Sequence, residues 1–74
     1  MTLRDVLKNF DNKNFKVIEY RAIVPAGNSN EEILVGMAAY KNKMLQSLDG
    51  DSYHLSDEIV RYELYQDDWL VVWE

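Results

Sequence analysis

The sequence has no cysteine, one proline, three glycines and one histidine. Without cysteine there is no disulfide framework and no thiolate metal site, and the composition suits a reducing compartment. Gly27, Gly36 and Gly50 stand too far apart to form a phosphate-cradling loop or a nucleophile elbow. Bases are scarce: eight Lys and Arg against thirteen Asp and Glu give a formal net charge of −5. A chain so charged disfavours neutralising phosphates, so direct nucleic-acid binding is not expected. Long apolar runs are missing too. None approaches the roughly 20 residues needed to cross a bilayer. Met1 to Phe10 carries Arg4, Asp5 and Lys8 where a signal peptide would be apolar. The expectation is a cytoplasmic protein with no membrane partner.

What is present is a small core-forming set. Hydrophobic residues make up 47% of the 74 residues, including five Tyr, two Trp and two Phe, which argues against disorder. Residues 1–74 are read as one domain. A chain of this size buries roughly 60% of its unfolded surface. Its core therefore has room for one layer of helix on one sheet, and little for a deep substrate cavity.

The last stretch, Asp57 to Glu74, dominates the reading. Two runs rich in Val, Tyr, Leu and Trp flank Gln66-Asp67-Asp68, a β-hairpin pattern. Asp-Asp is a poor two-residue turn of the usual hairpin type, because both residues would need positive φ. With Asp67 and Asp68 as the loop, Gln66 faces Trp69, Leu64 faces Val71, Tyr62 faces Trp73 and Arg61 faces Glu74. Alternation then sorts Val60, Tyr62, Leu64, Trp69, Val71 and Trp73 onto one nearly apolar face. That face is expected to lie beneath the amino-terminal helix. Arg61, Glu63, Tyr65, Leu70, Val72 and Glu74 share the other.

Upstream, Thr2 to Phe10 reads as a helix. Thr2 caps it, Asp5 completes a shortened capping box, and Leu3, Val6, Leu7 and Phe10 form its apolar stripe. Asp11 to Asn14 has turn chemistry. Phe15 to Val24 reads as a strand, Pro25 to Asn30 as a loop, and Glu31 to Gly36 or Met37 as an antiparallel second strand. Gly36 marks a bulge or the close approach of another backbone. For Met37 to Leu48 two readings stand. Met37, Tyr40, Met44 and Leu48 have helical spacing, with Gly50 placed to end a helix; alternatively the second strand continues to Tyr40. The short helix is the preferred reading. The fold class expected is therefore α+β: a four-stranded, mainly antiparallel sheet with one or two short helices on one face, in the order α-β-β-α-β-β.

Catalytic and metal patterns fare poorly. Asp49-Gly50-Asp51-Ser52 begins like a calcium loop, but Tyr53, His54 and Val60 occupy positions that require a ligand, a glycine and a glutamate. A solvated acidic turn is the simpler reading. His54 has Ser52 and Ser56 near it but no third group to orient it. No enzyme, cofactor or metal is expected. Tyr62, Tyr65, Trp69 and Trp73 have acids rather than bases as neighbours, which favours packing over base stacking. Apolar groups on both faces of the hairpin leave an excess that a partner, a second copy, or the loops at 25–30 and 51–57 would have to cover.

Leu3-Arg4-Asp5-Val6-Leu7, Phe15-Lys16-Val17-Ile18, Leu55 to Val60 and Asp67 to Val72 together resemble small phage and prophage proteins of Gram-positive bacteria. The resemblance covers both ends of the chain and omits residues 26–51. It implies an accessory protein that binds and modulates a host protein, and it brings no site residues with it. The function expected is a small non-enzymatic protein-binding module, with a protein partner or a homodimer. Its contact surface is expected at Tyr65, Leu70 and Val72, together with the edge of the first hairpin. The alternative is an acidic mimic of nucleic acid, which needs carboxylates spaced like phosphates along one surface.

Overall fold

The computed structural model describes residues 1–74. One helix, α1 (Leu3–Lys8), precedes five strands: β1 (Phe15–Ala26), β2 (Ser29–Lys41), β3 (Met44–Ser47), β4 (Arg61–Gln66) and β5 (Trp69–Trp73). They form one sheet in the order β3-β2-β1-β5-β4. All neighbours are antiparallel except β1 and β5, which run parallel from Val17–Trp69 to Arg21–Trp73. The fold is thus mostly β with a five-stranded mixed sheet, and not the four-stranded α-β-β-α-β-β arrangement expected. No helix is long and apolar enough to cross a membrane.

Two local causes account for the difference. The segment read as a second helix contains Asn42-Lys43, and both residues take positive φ, 52° and 63°. That is the backbone of a type I′ turn, so β2 runs on to Lys41 and folds back as β3. Pro25 to Asn30 is likewise no loop. Gly27 takes φ 62° at the first central position of a two-residue turn. Pro25 pairs with Asn30 and Ala26 with Ser29, so the ladder continues to the tip. Pro25 lacks an N–H, but β5 has already ended beside this part of β1, and no ladder bond is lost.

The capping box forms as expected. The Thr2 hydroxyl accepts from the Asp5 N–H at 3.3 Å, and the Asp5 carboxylate accepts from the Thr2 N–H at 3.0 Å. These backbone and side-chain bonds with Thr2 hold the Asp5 carboxyl below its ordinary value. Leu3, Val6 and Leu7 are buried against one face of the sheet, on Phe15, Ile18, Tyr20, Ala38, Tyr40, Leu70 and Val72. The rest of that face is covered by residues 48–60, an irregular strap. Leu3 and Arg4 donate backbone bonds to Asp57 and Leu55, at 2.9 Å each, and Ile59 donates to Met1 at 2.6 Å. Ile59 is buried, while Tyr53 and Leu55 pack on the core from the strap.

The closing hairpin turns at Asp67-Asp68, and Gln66 pairs with Trp69 as expected. Beyond that pair the register departs from expectation. A bulge between Leu64 and Gln66 sets Leu64 opposite Leu70, Glu63 opposite Val71, Tyr62 opposite Val72 and Arg61 opposite Trp73. Asp67 and Asp68 keep negative φ. Such a turn does not match the strand twist, and a bulge absorbs the mismatch. A slip of one residue exchanges the faces of a strand. Leu70 and Val72 therefore enter the helix-covered core, while Trp69 and Trp73 sit on the opposite face. The two indoles do not lie beneath α1.

Candidate functional site

On the face away from α1 the indoles are held by charge. Trp69 Nε1 donates to Glu19 Oε2 at 2.8 Å, and Trp73 Nε1 donates to Glu32 Oε1 at 3.0 Å. Arg21 bridges the same two carboxylates, at 3.1 Å to Glu19 and 3.3 Å to Glu32. The Arg61 guanidinium lies 3.9 Å from the centroid of the Trp73 ring, within cation–π range. Trp73 is 3% exposed although no helix covers it. Both indole N–H groups and the Arg21 guanidinium are met by the carboxylates of Glu19 and Glu32, so the arrangement reads as a structural lock and not as a reactive site.

The contact residues expected from the sequence separate. Tyr65 is 61% exposed and lies against Trp69, with ring centroids 5.3 Å apart. Leu70 and Val72 are fully buried, which corrects their expected place on a contact surface. Their removal follows from the register slip at Tyr65. The acidic turn at Asp49 is also accounted for. Its Oδ2 accepts from the Met37 N–H at 3.0 Å and from the Tyr53 hydroxyl at 2.5 Å. Its Oδ1 accepts from the Asp51 N–H at 3.0 Å and the Ser47 hydroxyl at 3.2 Å. The Tyr53 hydroxyl, followed by the Asp51 N–H, holds the carboxyl down to about 2. Four donors occupy this carboxylate, so it pins the strap to β2.

The edge of the first hairpin is where the structure leaves surface unpaired. β5 stops beside Arg21, and the β3 side stops at Met37, where Leu48 donates to the Met37 carbonyl at 3.0 Å. From Ala22 to Gly36 the chain bonds through its backbone only within the β1–β2 ribbon. Residues 22–35 therefore project as a two-stranded arm with both edges open, and the molecule's longest dimension is 42 Å. Ile23, Ile33, Leu34 and Val35 on this arm are 41–56% exposed. Glu32, bonded to Trp73 and Arg21, is its outermost side-chain tether to the rest of the sheet. What marks the arm in the sequence is the short apolar runs Ile23-Val24 and Ile33-Leu34-Val35 on either side of Gly27-Asn28, a two-residue hairpin turn.

At the base of the arm lies an open cleft of about 580 Å³. Val35 forms one wall, the strap another through Tyr53, Asp57 and Glu58, and Glu74 closes the end. With Asp51, four carboxylates line it, and no lysine or arginine does. The amino terminus reaches Glu58 at 3.5 Å. Asp57 Oδ2 accepts from the His54 N–H at 2.9 Å. A smaller hollow of about 420 Å³ at the other end of β1 has mixed charge, with Lys16, Lys41 and Asp68 in its wall.

Behind the cleft, Tyr20 is fully buried and its hydroxyl has no hydrogen-bond partner in the protein. Its ring stacks on Tyr53 at 4.5 Å. Burial, followed by the charges of Asp57, Tyr53, Glu74 and Asp49, pushes this phenol far above its ordinary value. Because Tyr53 lines the cleft, the stacking sets the Tyr20 ring behind its wall. No family model, curated protein or solved structure matches the chain significantly.

Proposed function

We propose that the chain is a small non-enzymatic protein-binding module that engages its partner through the β1–β2 arm, by adding a strand of the partner to an open edge. One observation supports this above the others: residues 22–35 form a ribbon with no third strand on either side and with exposed Ile23, Ile33, Leu34 and Val35. An isolated two-stranded ribbon is marginal in water. Its cross-strand pairs include Ile23 with Glu32 and Val24 with Glu31. Pairs of this type contribute well under about 1 kcal/mol each, whereas ordering a residue costs about 1–2 kcal/mol. Burial against a partner would supply about 25 cal/mol for each Å² of apolar surface covered. A modulator of a host protein, of the kind the phage resemblance implies, fits this reading.

The experiment is affinity capture from cells that carry the protein naturally, comparing the intact chain with an Ile33→Pro variant. Ile33 pairs with Ala22 in a hydrogen-bonded position of the ribbon, because bonded and non-bonded pairs alternate from the Ala26–Ser29 pair at the turn. Proline there removes a ladder bond and opens the arm while lying outside the core. Cooperative unfolding of the remainder shows that the core is kept. The reading expects a partner held by the intact chain and released by the variant. A partner held equally by both places the contact elsewhere.

A further inference from the structure

The open arm and the carboxylate cleft adjoin at Val35, which belongs to both. We infer that the partner segment is an extended, basic strand: its backbone pairs with an edge of the arm near Val35, and its lysine or arginine side chains enter the cleft of Asp51, Asp57, Glu58 and Glu74. This rests on the arm being the binding element, and it adds the partner's chemistry.

Charge argues for this occupant against the others. The cleft gathers four carboxylates, and the one cation paired with any of them is the amino terminus, 3.5 Å from Glu58. Three negative charges therefore stand without an ion pair. A second copy of the chain would bring the same carboxylates and a net charge of −5 to the contact, so self-association at this site sets like charges together. A polyamine would satisfy the acids but leave Leu34, exposed on the opposite face of the arm, in water. A strand alternating basic and apolar residues satisfies both, with its basic side chains on the cleft face beside Val35 and its apolar ones on the face of Leu34, because alternate side chains of a strand point to opposite faces. The wall of the cleft adds a geometric observation: Tyr20 stacks on Tyr53 of that wall at 4.5 Å, and its buried hydroxyl has no protein acceptor.

The test uses the full chain and a capped synthetic peptide of alternating Lys and Val, with binding followed by titration calorimetry. Three variants are compared: Asp57→Asn/Glu58→Gln/Glu74→Gln in the cleft, Glu63→Gln/Asp67→Asn/Asp68→Asn at the far turn, and Ile33→Pro on the arm. The two charge variants lose the same charge. Expected is one-to-one binding that falls about tenfold or more in the cleft variant, is unchanged in the far variant, and is lost with Ile33→Pro. Raising salt from 0.01 to 0.15 M shortens screening from about 30 Å to about 8 Å and weakens binding to the intact chain. Equal loss in both charge variants would mean unspecific attraction and overturn the inference. So would binding that survives Ile33→Pro, since the arm edge would then play no part. If the peptide fails to bind while the natural partner is still captured through the arm, the basic-strand inference falls and the arm reading stands. If capture is also indifferent to Ile33→Pro, both fall.

Discussion

Gly36 and Tyr53 occupy one space. A Cβ built on Gly36 coincides with the Tyr53 hydroxyl and comes within 2.6 Å of Asp49 Oδ2. The Tyr53 ring cannot retreat freely, because it stacks on Tyr20. Gly36→Ala is therefore expected to lift Tyr53 from the sheet and to destabilise the fold by about 1–3 kcal/mol, the usual range for overfilling a packed site. Denaturant midpoints measure this. In a Tyr53→Ala background, itself weakened by loss of the stacking on Tyr20 and the bond to Asp49, Gly36→Ala should cost much less, since the two positions act through one contact. Independent losses that simply add would disprove the contact.

Asp49 makes a pH-dependent contribution of a definite sign. Its folded carboxyl is lowered to about 2, first by the Tyr53 hydroxyl and then by the Asp51 N–H, against an ordinary value of about 3.9. A lowered folded value means that the stabilisation is fully present above the ordinary value and disappears as pH falls toward the folded one. The wild type should exceed Asp49→Asn in stability above about pH 4, and the gap should close as the pH approaches about 2. Denaturation of both proteins across that range decides the matter. A gap that does not change with pH would show that the carboxylate is not the acceptor described.

Removing a polar group should help at one position. The Tyr20 hydroxyl is buried without a protein partner, and an unsatisfied buried group costs about 1–3 kcal/mol. Tyr20→Phe keeps the ring and its stacking on Tyr53. It is expected to raise stability by about 1 kcal/mol, read from thermal or denaturant unfolding. A loss of similar size would show that the hydroxyl has an acceptor.

The faces of the closing hairpin are open to a direct comparison. Leu70 is fully buried and Tyr65 is 61% exposed. Leu70→Ala should cost about 2–5 kcal/mol, as large-to-small changes in cores do, whereas Tyr65→Ala should cost about 1 kcal/mol, mainly its ring contact with Trp69. The reverse order of losses would restore the register in which Leu70 faces outward.

These residues also show what can be read from a chain of this kind and what cannot. The capping box at Thr2 and Asp5 and the turn at Asp67-Asp68 are local chemistry, and local chemistry is legible. Gly36 was legible as a close approach, though not the side chain that approaches it. The faces of β4 and β5 were not legible. They hang on a single bulged residue, Tyr65, and the negative φ of the Asp-Asp turn that calls for the bulge appears only in the folded backbone. The pairing of β1 with β5 joins segments about fifty residues apart, and no local pattern announces it. Asn42-Lys43 carries a hairpin backbone with residues less diagnostic than Asn-Gly, so β3 was hidden. The pairing of β1 with β2 was legible, but its continuation through Pro25 to the Gly27-Asn28 turn reads in the sequence as a loop over residues 25–30. The open edge of the first hairpin was expected as contact surface, and it is the one part of that expectation that remains accessible together with Tyr65.

The central claim is that residues 22–35 stand apart from the sheet with open edges, and residue-resolved amide hydrogen exchange on the dilute protein tests it most directly. The account predicts fast exchange from Ala22 to Val35 beside strong protection at Ile18, Tyr20, Leu70 and Val72, with the arm slowing only when a partner strand is added. Protection of the arm equal to that of β5 in the protein alone would contradict it.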